Sequence, residues 1–303
     1  METSKDPTPL SPFSAESYAS LERGPIAQPP SNIIDPNNPP WGLLAAILTW
    51  LGSVVLLLVM NLLVIVPYNL YKFKGGSREA LENFLTTDKT AILLLILSAI
   101  PAHLLTLGIA WAVITHFGKR PFWSALGWTW SKRVGFWTST GLAVGLYIVG
   151  ISMVMLFGEQ KTSIDQVVAS SRAAALSLAF MAVFTAPLVE EVIYRGILYP
   201  ALQRAVGMHW AIVGVLVLFT LIHVPQYWPN FGVIGAVGLL SLSLTLVRAY
   251  TGRLLPCFVM HLVFNGIQSI LIILQPYLPP TLTGEGQAGA FVMLFSQVVL
   301  MLN

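Results

Sequence analysis

Apolar residues along this chain are gathered into long unbroken runs, separated by short polar stretches. The runs fall at about 43–70, 91–116, 134–157, 173–202, 210–223, 231–247 and 254–274. Most are near or above the roughly 20 residues with which a helix crosses a bilayer. An eighth run, 288–302, is short for a full crossing and is expected to span thinly or lie re-entrant. Pro225 is expected to close the fifth run. The first forty residues, rich in Pro, Ser and Asn, show no apolar period and predict a disordered tail. The pattern predicts an all-α polytopic membrane protein with about eight transmembrane helices. Its regions are a tail at 1–41, N-terminal helices with an interfacial segment at 42–169, a core at 170–274, and a C-terminal loop and short last helix at 275–303.

Composition agrees with that pattern. The 303 residues are 55% hydrophobic and only 10% charged, with a mean hydropathy of +0.75, against about 25% charged in soluble domains. The net charge of +3 comes from loop residues, so a nucleic-acid surface is not expected. With the N-terminus inside, nine loop Lys and Arg face the cytoplasm and six face out, favouring that orientation. A single cysteine, Cys257, excludes an internal disulfide and a cysteine metal cluster. Trp41, Trp50 and the basic–aromatic stretch 119–130 suit the headgroup zone. Gly141 and Gly145, spaced for close helix approach, are read as ordinary internal packing. Gly232, Gly235 and Gly238 predict a smooth face on the sixth span.

The fourth run departs from its own pattern. Glu190, Glu191 and Arg195 lie within six residues of otherwise apolar chain, although each central charge costs on the order of 2.5–3.5 kcal/mol on insertion scales. An intramembrane functional site is the default inference. Glu191 and Arg195 are four apart, carboxylate first, and can pair on one helical face. Glu190 lies about 100° round the helix and is left free of that pairing.

Two later runs carry polar groups at the same spacing: Phe219 with His223, and His261 with Asn265. Each pair shares a helical face, and polar groups in lipid need partners. The three stripes are therefore expected to converge, with Glu190, His223 and His261 about 10–22 Å from the cytoplasmic helix ends. His103, in the second run, has no acidic neighbour in sequence and is read as bonded across a helix interface.

Together, EExxxR at Glu190–Arg195, FxxxH at Phe219–His223 and HxxxN at His261–Asn265 resemble the signature of the CPBP family of intramembrane proteases. That family includes the Rce1-type CAAX prenyl endopeptidases and the Abi proteins. The resemblance covers about residues 170–270 and implies a membrane-embedded endopeptidase. Under it, Glu190 activates water with help from His223, His261 and Asn265 stabilise the oxyanion, and Glu191, Arg195 and Phe219 support fold and charge. No cofactor is implied. A metal-dependent variant would instead bind zinc through Glu190, His223 and His261. A non-catalytic peptide-binding regulator is the third reading. The expected partners are a peptide or lipidated protein substrate and membrane lipid, and the expected location is the cell (inner) membrane with the site open to the cytoplasm. Cys257, one turn before His261, is a weaker candidate nucleophile. Sequence signatures of other intramembrane proteases (HExxH, GxSxG and a GxGD-type aspartate pair) are absent.

Overall fold

The computed structural model describes residues 35–158 and 160–277. Among them there is no strand, and seven helical segments are long and apolar enough to cross a membrane. They run Leu43–Lys72, Lys89–Thr115, Phe136–Phe157, Arg172–Val206, Met208–Tyr227, Phe231–Thr251 and Leu255–Leu274. These are the seven long runs of the sequence. The eighth, 288–302, and most of the tail lie outside the described residues.

Two spans differ from their expected form. The second is broken at Ser98, whose hydroxyl bonds to the Leu95 carbonyl and to Asn61 Oδ1 of the first span. The fifth does not stop before Pro225 but continues to Tyr227. Proline is tolerated in a lipid-embedded helix when neighbours satisfy the freed carbonyl. The extension puts Tyr227 one turn beyond His223.

Small residues decide how the third and sixth spans meet. A Cβ on Gly232 would lie 2.6 Å from the Val154 Cα and 3.0 Å from the Met153 carbonyl oxygen, so this crossing is backbone against backbone. The smooth face expected of the sixth span is real. Gly141 and Gly145, by contrast, have nothing within 4 Å, so the internal packing expected of them is not found. Their spacing is right for close approach, but that face of the third span points outward.

The fourth span is the centre of the fold, and it is not a plain α-helix. It passes through two π stretches, Met181–Thr185 and Glu191–Leu198, on either side of Glu190. Each stretch ends with an i→i−5 bond, Ala186 N–H to Met181 O and Tyr199 N–H to Tyr194 O. One residue beyond each stretch stands a proline, Pro187 after Ala186 and Pro200 after Tyr199, which has no N–H to offer. The carbonyls five residues before these prolines belong to Ala182 and Arg195. Both accept from side chains of other spans: Asn265 Nδ2 reaches Ala182 O at 2.9 Å, and Arg248 Nε reaches Arg195 O at 3.1 Å. Trp41 Nε1 donates to Ile197 O at 3.1 Å. In lipid a carbonyl without a donor costs several kcal/mol, so these donors make the wide helix tenable.

This explains two residues whose sequence reading needs correcting. Trp41, expected at the interface, is buried on the π stretch. Arg248, counted among the loop cations, has no exposed surface. Besides Arg195 O it binds Asn37 Oδ1 and Pro36 O, each at 2.7 Å, while Arg204 binds the Pro39 and Trp41 carbonyls. The segment Asp35–Trp41 is thereby strapped along the fourth span. Leu126, fully buried in the expected interfacial stretch, packs where Gly196 has no side chain. A Cβ there would stand 2.6 Å from Leu126 Cδ2.

Candidate active site

The three polar stripes meet. Glu191 and Arg195 pair at 2.9 Å with no exposure of either side chain. Arg195 also donates to Ser241 Oγ at 2.9 Å, Ser241 O at 3.0 Å and Thr245 Oγ1 at 3.2 Å, all on the sixth span. Its guanidinium lies 4.6 Å over the Phe219 ring, a favourable cation–π geometry. Phe219 is 1% exposed and also stacks on His223, centroids 4.6 Å apart, and meets Tyr194 edge-on at 5.0 Å. One aromatic ring thus joins the ion pair to the histidine.

Glu190 is placed differently from its neighbour. Its side chain keeps 21% exposure, and it lies 3.9 Å from His223 Nε2 and 3.6 Å from His261 Nε2. Neither separation is a direct hydrogen bond. Four potential acceptor atoms, the two Glu190 oxygens and the two ring nitrogens, face one another at separations that a bridging water can serve.

The outer ring nitrogens fix which atoms face that gap. His223 Nδ1 is 2.7 Å from Phe219 O, and a carbonyl only accepts, so Nδ1 carries the hydrogen. His261 Nδ1 is 2.9 Å from Glu191 Oε1 and donates to that carboxylate in the same way. In the neutral imidazoles both Nε2 lone pairs therefore look toward Glu190. Glu191 Oε1 accepts from Arg195 and His261 together, while its Oε2 is sealed without a partner. The glutamate with the ion pair is thus also the one that orients His261, a link the sequence reading did not contain.

Asn265, one turn beyond His261, has one amide N–H held by Ala182 O at 2.9 Å. His103 is bonded across a helix interface, as its sequence reading has it. Its Nδ1 lies 3.0 Å from Thr185 Oγ1 in the first π stretch, within electrostatic reach of Glu190. Cys257 is not a nucleophile for this site, because it is fully buried and its thiol donates to Leu244 O at 3.3 Å. A groove of about 220 Å³ lined by Leu97, Ile100, Leu176, Ser177, Phe180 and Met181 opens between the second and fourth spans.

These features define a polytopic helical membrane protein with a carboxylate–imidazole cluster among its fourth, fifth and seventh spans. Residues 172–267 match the family model of the type II CAAX prenyl endopeptidase Rce1-like proteins. The match takes in every motif position from Glu190 to Asn265 and bears out the resemblance seen in the sequence. No curated protein and no solved structure matches the chain.

Proposed function

We propose that this protein is an intramembrane endopeptidase that cuts a hydrophobic or membrane-anchored peptide with a glutamate-activated water. The observation that carries the reading is the convergence of Glu190 with two oriented imidazoles at 3.6 and 3.9 Å. A water held by Glu190 and His223 Nε2 gives a proton to Glu190 and attacks the scissile carbonyl carbon. The carbonyl electrons move onto its oxygen, toward the free N–H of Asn265. His261 Nε2 donates there only as imidazolium. On collapse the C–N bond breaks and Glu190 returns its proton to the leaving amine. The groove between the second and fourth spans gives an apolar substrate a place beside the first π stretch.

The metal-dependent reading uses the same atoms, Glu190, His223 and His261. Among the described residues no group of three His, Cys, Asp or Glu side chains is spaced to hold a metal ion. Cleavage of an internally quenched farnesylated peptide with a CAAX tail is expected to survive exhaustive phenanthroline treatment. Activity lost to chelator and restored by zinc would turn the three residues into ligands.

We place the N-terminus on the cytoplasmic side of the cell membrane. Lys161, exposed between the third and fourth spans, then faces out. Because Cys257 is buried, Lys161→Cys adds the one thiol open to a membrane-impermeant maleimide among the described residues. It is expected to label in intact cells; labelling only after lysis would invert the orientation.

A further inference from the structure

The cluster around Glu190 is rich in acceptors and short of donors. The His223 Nδ1–H is held by Phe219 O, the His261 Nδ1–H by Glu191, and one Asn265 N–H by Ala182 O. What remains aimed at the gap is a carboxylate and two ring nitrogens with lone pairs. A tetrahedral oxyanion needs hydrogen-bond donors at about 2.7–3.1 Å, commonly two of them. Asn265 offers one further N–H.

Tyr227 offers the second donor. It lies four residues after His223 on the same helical face, within the part of the fifth span that runs on past Pro225. Its ring stacks parallel to the His223 ring, 10° between planes and 6.4 Å between centroids. Other interior tyrosines have their hydroxyls engaged: Tyr68 with Asp88, Tyr194 with Trp50, Tyr147 with Gln268. Tyr199 is sealed without a partner. The Tyr227 hydroxyl has no hydrogen-bond partner among the described residues, yet it is not sealed. It lies within Coulombic reach of two carboxylates, Glu190 and Asp165.

We propose that the Tyr227 hydroxyl is an oxyanion donor for hydrolysis at Glu190, forming with Asn265 a two-donor hole. The assignment rests on the endopeptidase reading. Tyr227 keeps its proton throughout: its O–H shortens onto the carbonyl oxygen as the water oxygen–carbon bond forms. It lengthens again when the C–N bond breaks, the proton for the amine coming from Glu190.

Tyr227→Phe tests this directly, since it keeps the ring stacked on His223 and removes only the hydroxyl. With the farnesylated CAAX-tail peptide as probe, kcat is expected to fall on the order of a hundredfold. KM should stay within about twofold, with the melting temperature unchanged. Wild-type kcat in Tyr227→Phe overturns the assignment, and a loss seen only in Tyr227→Leu does the same by reducing Tyr227 to packing. Glu190→Gln, run in parallel, separates the two levels of the argument. Inert Glu190→Gln beside fully active Tyr227→Phe removes the donor and leaves the protease. Active Glu190→Gln removes both.

Discussion

Glu190→Gln is expected to lower kcat by about 10³-fold while leaving the fold and peptide affinity intact. General-base catalysis contributes about 10²–10⁴ in rate, and the amide keeps the shape of the side chain while losing its basicity. The fold should not notice the change, because Glu190 makes no direct hydrogen bond: its nearest imidazole nitrogen is 3.6 Å away. The measurement is turnover of the farnesylated peptide in lipid nanodiscs, with a thermal melt and a binding isotherm on the same preparation. A Gln variant that turns over at the wild-type rate would end the water-activation mechanism. One that fails to fold would move Glu190 into the structural class of its neighbour.

Arg195→Ala is expected to act on stability first. Removing one partner of a buried ion pair costs about 3–5 kcal/mol, because the other charge is left uncompensated. Here the stranded group is Glu191, with no exposure and one oxygen already lacking a partner. Glu191→Gln combined with Arg195→Met should recover part of the loss, since neither replacement leaves a buried charge. Catalysis would not recover with it, because the Glu191 carboxylate also holds His261 Nδ1. An Arg195→Ala protein melting at the wild-type temperature would contradict the interior role of the pair.

The placement of the spans and of the motif residues was legible in the sequence because both rest on strong local signals. Runs of apolar residues are costly in water, and three charges in such a run are costly in lipid. The i, i+4 spacings named the pairs that share a face, and Glu190, His223 and His261 do come together. What stayed hidden lies beyond the reach of periodicity. Pro187 and Pro200 were visible as letters, but that each would follow a π stretch depends on donors from distant spans, Asn265 and Arg248. Arg248 was counted as a loop charge because the apolar run before it ends at Val247. Only the three-dimensional path of residues 35–41 shows what it binds. Gly141 and Gly145 misled because spacing reports that a helix can be approached closely, and says nothing about which neighbour is there. Tyr227 had a usable signal, four residues after His223, but Pro225 between them argued for a helix end.

The borrowed donors of the fourth span also bear on how the chain is made. Residues 172–206 leave the ribosome carrying two glutamates, an arginine and carbonyls that adjacent prolines cannot serve. The groups that answer them arrive later in synthesis: Ser241, Thr245 and Arg248 on the sixth span, His261 and Asn265 on the seventh. Until the sixth and seventh spans have been made, the fourth span lacks these partners in lipid. The cluster around Glu190 and Glu191 is therefore complete only once the seventh span has joined the fourth.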